Sequence, residues 1–320
     1  MHIKQNSLDD LLMSLFKRLL KSRNRIKPSK GPAREIVGVT LELTAPRARL
    51  SRSEKRGIFF GALGEFMWYM SGSNLIEFIE HYIPNYRQFS DDGITANGAY
   101  GPRIFSQRGQ DQISQLCEIL RKKPDTRQAV LQILNAEDVN SGTRDVPCTC
   151  TLQFFPRGNT LSLMTHMRSN DAYMGLPHDI FAFTMLHELI ARETGYVVGT
   201  YHHSVGSMHL YEQDVKEAQI FLKEGWQEHL PMPPMPEAPQ WENLKKVLAY
   251  EEQIRTSKDI PTDLSHLPPY WADITRLLAF YSLTSQHGTP TLRNRRMMAS
   301  ILRSLESDCG SARNNDPLTA

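Results

Sequence analysis

The sequence predicts an α/β or α+β core followed by a helical C-terminal region, and three observations lead to that fold class. Strand-like and helix-like runs alternate up to about residue 211. A proline-rich segment over 230–239 then interrupts the pattern. Beyond that segment only helical periodicity remains. Strands mixed with helices, followed by helices alone, are typical of a sheet-based core with a helical appendage.

The first half of the chain supplies alternating elements. In order, we predict an amphipathic helix over 8–23, a strand over 36–43, an apolar helix over 54–71, a loop over 85–110, a helix over 111–122 and a strand over 129–134. The first helix is predicted because Leu11, Leu15 and Leu19 recur at the spacing of one helical face. Gly72 is placed to end the second helix, since glycine readily adopts the left-handed conformation found after helices.

The second half is predicted in the same way. The elements are strands over 149–155 and 160–169, a helix over 180–194, a strand over 197–211, and helices over 241–256, 270–283 and 289–305. The turn over 156–159 joins the first two strands, and Gly195 ends the long helix. The implied domains are a catalytic core over 1–229, a proline-rich linker over 230–240, a helical extension over 241–307 that packs on the core and a flexible tail over 308–320.

Composition excludes several classes of protein. The 37 Lys and Arg residues nearly balance 35 Asp and Glu residues, which argues against a protein that coats nucleic acid. No apolar run is long enough to span a membrane, and the N-terminus lacks the pattern of a signal peptide. The four cysteines have no disulfide-framework spacing. We therefore expect a soluble, cytoplasmic protein that binds neither nucleic acid nor membrane.

Two residues are candidates for covalent or proton-transfer chemistry. Cys148 follows Pro147 at the start of a strand, and its thiol is either a nucleophile or a small buried apolar group. Strand alternation is expected to turn Cys150 away from Cys148, and no metal is expected because a structural zinc needs four ligands. Glu65 lies in an apolar helix, where it is either paired with an arginine or a carboxyl with a raised pKa.

Polar residues at the ends of later strands suggest a site for a ligand. Arg168 and Ser169 end one strand, and an arginine fork beside a hydroxyl suits a phosphate. His203, His209 and Tyr211 lie at alternate positions of another strand and so share one face. These side chains could bind a metal or the hydroxyls of a ligand, and the residues alone leave both open.

Taken together, the motifs resemble the thymidylate synthase family over about residues 10–215. The matching segments are Glu65 with Trp68 and Gly72, Tyr100-Gly101, Asp125-Thr126-Arg127, Pro147-Cys148, Leu152-Gln153-Phe154, Arg168-Ser169-x-Asp171, Gly175-Leu176-Pro177 and Gly206-x-x-His209-x-Tyr211. The resemblance implies a large twisted mixed sheet flanked by helices and a homodimer with shared sites.

The resemblance also implies a chemistry for these residues. The Cys148 thiolate would add to C6 of a pyrimidine nucleotide, so that C5 attacks the methylene of 5,10-methylenetetrahydrofolate. Glu65 and Tyr100 would move protons. The implied nucleotide contacts are Arg168, Ser169, Gln153, His209, Tyr211 and, from the partner subunit, Arg127. Asp171 and Gly175 would line the folate side, and Lys30 is a candidate phosphate contact because Gln128 stands where the family has a second arginine.

Departures from the family pattern narrow the expected substrate. Asp179 stands where thymidylate synthases have an asparagine that pairs with uracil. A carboxyl group can accept from the amine of cytosine and, when protonated, donate to N3. Asp179, Thr149 and Ser207 resemble the hydroxymethylase branch, in which water rather than hydride completes the transfer. The helical C-terminal region is most similar to that of CMP 5-hydroxymethylases of nucleoside-antibiotic pathways.

The expected function is therefore C5-hydroxymethylation of CMP or dCMP, and two alternatives remain. The first is a thymidylate synthase that methylates dUMP and tolerates Asp179. The second is a non-catalytic nucleotide-binding protein, although Cys148, Glu65 and Arg168 are all retained. Asp179 also has a structural interpretation, since aspartate is a favoured N-cap for a helix beginning at Ile180.

Overall fold

A seven-stranded mixed sheet forms the centre of the first of two compact units, Met1–Pro239 and Gln240–Ala320. The structure, a computed structural model, describes residues 1–51, 59–225, 231–257, 259–284, 296–298, 300 and 301. Helices flank the sheet along the chain, so the expected α/β class with a mixed sheet is confirmed.

The strands are long near the centre of the sheet and short at its edges. They are β1 (His2–Gln5), β2 (Arg25–Ile26), β3 (Ala33–Leu43), β4 (Val130–Gln132), β5 (Thr149–Arg157), β6 (Thr160–Asp171) and β7 (Val197–Tyr211). Their order is β1–β3–β7–β6–β5–β4, with β2 paired to β3. The β1–β3 and β6–β7 pairs are parallel and the other pairs are antiparallel.

The helices of the first unit supply most of the apolar core. They are α1 (Leu8–Leu19), α2 (Phe59–Met70), α3 (Ile76–Tyr82), α4 (Tyr100–Phe105), α5 (Gln112–Lys122), α6 (Gly175–Thr194) and α7 (Val215–Glu224). Phe16, Trp68, Phe154, Phe181 and Tyr201 are fully buried. The core therefore joins side chains of several helices to those of the central strands.

Helix α6 connects β6 to its parallel neighbour β7, a connection that requires a crossover. The helix begins at Gly175 rather than at the predicted Ile180. Pro177 suggests a loop in the sequence, but a proline is tolerated in the first helical turn because those N–H groups have no partner within the helix. Asp179 therefore lies inside the helix, and its interpretation as an N-cap is wrong.

Other predicted boundaries differ from the structure as well. The segment predicted as a loop over 85–110 contains α4, which carries Tyr100. Strand β1 was not predicted, because its four residues are too few and too polar to show alternation. The start of the helix over 54–71, most of the helix over 289–305 and the tail after Ser307 lie outside the described residues.

The proline-rich segment is fastened to the first unit by backbone hydrogen bonds. The Met232 N–H donates to the Arg47 carbonyl at 2.9 Å, and the Arg47 guanidinium donates to the Met232 carbonyl at 2.8 Å. The Met235 N–H donates to Oε1 of Glu188 at 2.8 Å, and the Arg49 guanidinium binds the other oxygen. Residues 231–239 thus form a strap over the buried Arg49–Glu188 ion pair.

The second unit is built on two helices, α8 (Trp241–Ser257) and α9 (Pro269–Thr284), which pack against each other. The buried Trp271 indole donates to the Gln240 side chain at 2.7 Å. Across the described residues of both units, no helix combines the length and apolarity needed to cross a membrane.

Candidate active site

The Arg168 guanidinium is hydrogen-bonded to the segment that carries Cys148. It donates to the Pro147 carbonyl at 3.0 Å and to the Val146 carbonyl at 2.8 Å, while the Arg168 N–H donates to the Cys148 carbonyl at 2.9 Å. Burial raises the pKa of the Cys148 thiol, and the Arg168 charge opposes that rise. A half-buried thiol is therefore held beside a cation that favours the thiolate, although burial keeps the pKa of the thiol raised in the free protein.

Cys150 has different surroundings, although it is only two positions away. Residues two apart on a regular strand share a face, so the expectation that alternation alone separates the two thiols is wrong. A register shift between Thr149 and Thr151 interrupts the pairing of β5 with β6 at this point. The Cys148 thiol lies within electrostatic range of Asp179 and Lys30 as well as Arg168, whereas among the described residues the charge that acts on Cys150 is that of Arg168.

The carboxyl of Asp179, on helix α6, lies within electrostatic range of this thiol. Asp179 is 8% exposed, and its Oδ2 accepts from the Asn170 side-chain amide at 2.8 Å. Burial raises the pKa of Asp179 well above its usual value, and the nearby Glu65 charge raises it further. Burial thus favours the protonated form of Asp179, which can both donate and accept a hydrogen bond.

Glu65 is held by two side chains, neither of which is an arginine. Its Oε1 accepts from the Tyr69 hydroxyl at 2.8 Å, and its Oε2 lies 3.0 Å from Nδ1 of His178. A Cβ at Gly61 would lie 2.9 Å from the His178 ring, so glycine makes room for the imidazole. The pairing of Glu65 with an arginine that the sequence left open is therefore wrong.

Tyr100 contacts both Tyr69, whose hydroxyl binds Glu65, and the backbone of Thr149 next to Cys148. Its ring stacks on Tyr69 with ring centres 4.7 Å apart, and its hydroxyl accepts from the Thr149 N–H at 3.3 Å. Burial raises the pKa of Tyr100 well above its usual value, so the hydroxyl keeps its proton. The phenol can donate that proton in a hydrogen bond beside the thiol.

The remaining predicted residues lie around this centre. Lys30 Nζ sits 4.4 Å from the centre of the Phe89 ring, and its charge acts on both Cys148 and Asp171. Burial raises the pKa of Asp171, which pairs in register with His209 across β6 and β7.

Other residues predicted to contact the nucleotide or the folate lie on β6, β7 and α6. Ser169 pairs with Ser207 on the same two strands. The His209 ring packs edge-on against Tyr211 with centres 5.0 Å apart. Gly175 starts α6 beside Asn170, because a Cβ there would lie 3.2 Å from the amide nitrogen. Lys30 and Tyr211 are thus each within electrostatic range of both Cys148 and Asp171, whereas Ser169 is placed by its strand pairing alone.

Gln153 and Arg127 are not brought to this centre within one chain. Gln153 lies five residues along β5 from Cys148, which corresponds to about 16 Å of strand. Its side-chain amide donates to the Arg127 carbonyl at 2.9 Å, and Arg127 is exposed. The contribution of Arg127 to a partner's site therefore stays a prediction, as does the substrate contact of Gln153.

An open cavity of about 510 Å³ lies elsewhere, near Asp92, Asn97 and Arg103. The Asp92 carboxylate there is occupied by the N–H groups of its own turn, at Ile94 and Thr95. No cysteine lines this cavity. The cavity therefore offers no thiol nucleophile among its lining residues, and the residues around Cys148 are the stronger candidate for an active site.

Four functional side chains were not predicted in their observed roles: Tyr69, His178, Asn170 and His203. The sequence placed His203 on a ligand-binding face, yet it is fully buried and bonded to Tyr201 and Asn170. No group of three or more metal-binding side chains occurs in the part of the chain that the structure describes. The sequence signal for His203 was a polar residue on the strand face that it shares with His209 and Tyr211. Its partners could not be predicted, because they depend on the fold.

Comparisons with known proteins show to which family this sequence is similar. The family model described as Thymidylate synthase matches residues 30–253. A deoxyuridylate hydroxymethyltransferase of Bacillus phage SP01 is 31% identical over 218 residues, which are 64% of this chain and 57% of the relative. A deoxyuridylate hydroxymethyltransferase of Delftia phage PhiW-14 is 34% identical over 191 residues, 55% of this chain and 53% of the relative. The chain thus spans little more than half the length of these relatives.

Proposed function

This chain belongs to the thymidylate synthase family, and from that membership we propose that it hydroxymethylates C5 of a pyrimidine nucleoside monophosphate. The one-carbon donor is 5,10-methylenetetrahydrofolate, which supplies a methylene group, and water supplies the hydroxyl. The single observation that carries the proposal is that the Cys148 thiol lies within electrostatic range of both the Arg168 cation and the buried carboxyl of Asp179, whose protonated form burial favours. That placement suits covalent activation of a ring whose far edge needs a hydrogen-bonding partner.

In this proposal Cys148 adds to C6 of the base and Arg168 stabilises the thiolate. Arg168, Ser169 and Lys30 bind the 5′-phosphate, because they place positive charge and a hydroxyl at one edge of the centre. His209 and Tyr211 face the sugar. Asp171 and Gly175 lie on the side assigned to folate, where a buried carboxyl with a raised pKa can hydrogen-bond a pterin.

We assign proton transfer to Tyr100 and Glu65. Tyr100 donates a hydrogen bond beside Cys148 and orients a water that takes the C5 proton, while the bond from the transferred methylene to tetrahydrofolate breaks and the folate departs unoxidised. Glu65 receives a proton from the water that adds to the exocyclic methylene, with Tyr69 and His178 holding both carboxyl oxygens in place. Elimination of Cys148 from C6 then restores the aromatic ring.

We propose a cytidylate, CMP or dCMP, as the nucleotide. Cytosine presents an acceptor at N3 and a donor at its amine, and the protonated Asp179 offers a donor and an acceptor. The buried carboxyl of Asp179 can then pair with cytosine through both oxygens, with Asn170 donating a second hydrogen bond to Oδ2. Leaving such a group unpaired costs about 1–3 kcal/mol, or about ten- to a hundredfold in affinity.

A second candidate substrate is a uridylate. The two phage relatives are named for deoxyuridylate, and a protonated carboxyl can also pair with the N3–H and O4 of uracil. The two candidates differ only in which oxygen of Asp179 carries the proton.

We further propose a homodimer in which Arg127 of the partner subunit completes the phosphate contacts. Val37 on β3 and Val130 on β4 are 67% and 41% exposed, so the sheet carries apolar side chains that a second copy could cover. Arg127 itself is exposed on the same edge as β4.

The test is mass spectrometry of CMP, dCMP and dUMP incubated separately with the full chain and 5,10-methylenetetrahydrofolate. Hydroxymethylation adds the elements of CH₂O to the nucleotide, whereas thymidylate synthesis adds CH₂. The expected result is CH₂O on a cytidylate. Addition of CH₂ to dUMP would instead identify a thymidylate synthase, and no product with any nucleotide, despite nucleotide binding, would support a non-catalytic protein.

The matched variant is Asp179→Asn. If Asp179 reads the base, cytidylate turnover collapses and uridylate turnover rises, because an amide presents the pattern that suits uracil. An unchanged preference would remove Asp179 as the base-reading residue.

A further inference from the structure

A chain of three hydrogen bonds runs through the core to the carboxyl of Asp179. The Tyr201 hydroxyl lies 2.7 Å from Nδ1 of His203, and Nε2 of His203 lies 2.9 Å from Oδ1 of Asn170. The Asn170 amide nitrogen donates to Oδ2 of Asp179 at 2.8 Å. Tyr201 and His203 are fully buried, and Asn170 is 4% exposed.

The hydrogen bonds from Tyr201 to Asp179 are favourable in one donor-to-acceptor direction only. Burial raises the pKa of Tyr201 well above its usual value, so the hydroxyl keeps its proton. Burial also lowers the pKa of His203 to about 3, so the ring is neutral and carries one N–H. Oδ1 of Asn170 can only accept, so Nε2 of His203 carries the ring proton and Nδ1 accepts from the Tyr201 hydroxyl, which also has the Thr165 side chain as a neighbour in hydrogen-bonding range.

The same donor-to-acceptor direction continues from His203 through Asn170 to Asp179. With Nδ1 accepting, the ring proton sits on Nε2 and donates to Oδ1 of Asn170. That contact turns the Asn170 amide nitrogen toward Asp179. The opposite tautomer, with the ring proton on Nδ1, would set the lone pair of Nε2 against Oδ1 of Asn170, and two buried acceptors without a donor between them are unfavourable.

We propose that Tyr201 and His203, acting through Asn170, fix which oxygen of Asp179 donates and which accepts, and thereby decide which pyrimidine base the site takes. Tyr201 and His203 are positioning residues in this proposal, since they act through Asn170. The inference rests on the proposed function, because it requires Asp179 to face the base.

The chemical reason lies in the symmetry of a carboxylic acid. A neutral carboxyl can carry its proton on either oxygen, so Asp179 alone pairs with cytosine in one arrangement and with uracil in the other. Oδ2 accepts from Asn170, which places the proton on Oδ1, an atom with no hydrogen bond among the described residues. A base held by Cys148 at C6 meets one oxygen with N3 and the other with its 4-substituent. The fixed donor and acceptor then match one base and oppose the other.

The experiment compares His203→Phe with His203→Gln in the full chain. The readout is the ratio of kcat/KM for a cytidylate and the matching uridylate, with Kd for each nucleotide measured by calorimetry. Phenylalanine removes the donor to Asn170, so its amide can turn over. We expect the base ratio to move toward unity by about tenfold, with the disfavoured base gaining. Glutamine retains an N–H donor, and we expect it to keep most of the preference.

Tyr201→Phe is the second variant, in case His203→Phe does not fold. It deletes one oxygen and frees the His203 tautomer, so it should also move the ratio toward unity. Equal losses for both bases in each variant, with the ratio unchanged, would overturn the proposal and leave His203 and Tyr201 as packing residues.

Asp179→Asn in the same assay separates the two levels of inference. If Asp179→Asn changes the base preference and the Tyr201 and His203 variants do not, only the present inference fails. If Asp179→Asn also leaves the preference unchanged, or if the wild-type protein binds no pyrimidine nucleotide, the proposed base-reading function itself fails.

Discussion

The Nδ1 atom of His178 lies 3.0 Å from Oε2 of Glu65, across 113 positions of sequence. This contact joins helix α2 to helix α6 immediately before Asp179. Because Tyr69 holds the other oxygen, Glu65 is fixed at both ends of its carboxyl. Glu65 and Asp179, for which we propose proton transfer and base reading, are thus connected through the consecutive residues His178 and Asp179 of α6.

His178→Phe should impair the step that follows methylene transfer. Loss of a buried carboxyl's partner costs about 1–3 kcal/mol, so we expect kcat to fall by about tenfold or more. The nucleotide KM should change little. His178→Asn, whose amide nitrogen can occupy the place of Nδ1, is the matched control and should recover part of kcat. Tritium release from C5 that falls as far as product formation would place His178 at an earlier step.

Cys148→Ser should abolish tritium release from C5, while Cys150→Ser should retain most of it. The reason is that Cys148 shares its surroundings with Asp179 and Lys30, and Cys150 lies where β5 and β6 lose register. The measurement is tritium release from labelled CMP and dCMP. Similar losses in both variants would contradict the assignment of the nucleophile.

The reactivity of Cys148 in the free protein should increase with pH into the alkaline range. Burial raises the pKa of this thiol, so the thiolate is scarce at neutral pH, and Arg168 limits the rise. Arg168→Ala should therefore move the alkylation profile to higher pH. The rate of iodoacetamide labelling of the Cys148 peptide, followed by mass spectrometry, reports the shift. A profile that moves to lower pH would show that Arg168 does not stabilise the thiolate.

His187→Gln should flatten the acid side of the stability curve. Burial lowers the pKa of His187 to about 4 from its unfolded value of 6.5, so its contribution to stability is complete above pH 6.5 and is lost as pH falls toward 4. In that window the wild-type protein should lose about 1.4 kcal/mol per pH unit through this residue. Urea unfolding at several pH values measures the slope. An unchanged slope in the variant would show that His187 already binds its proton in the folded state.

Co-expression of Arg127→Ala with Cys148→Ser should restore activity that neither variant has alone. A mixed dimer contains one site with both native residues if Arg127 acts in the partner's site. Purification through two different tags isolates that mixed dimer for assay. A verified mixed dimer without activity, or a chain that sediments as a monomer, would refute the shared site.

Local sequence patterns predict most of the helices and strands. They do not predict which residues of different helices and strands contact each other. The predicted strand over 197–211 is the observed β7, because alternation and Gly195 mark both of its ends. The start of α6 was missed, since Pro177 suggests a loop unless it is known to occupy a first turn. Cys148, Glu65 and Asp179 were identified through motifs. Their partners His178 and His203 could not be, because each pairing depends on how distant segments pack.

Gly61 and His178 form a pair whose members are not independently replaceable. An alanine at 61 would place its Cβ 2.9 Å from Cε1 of the imidazole, which is closer than such atoms approach. Gly61→Ala should therefore weaken the Glu65–His178 bond without altering either partner. Among related sequences, histidine at the second position should occur with glycine at the first, so this two-residue covariation provides a marker for sorting homologues by the presence of the Glu65–His178 contact.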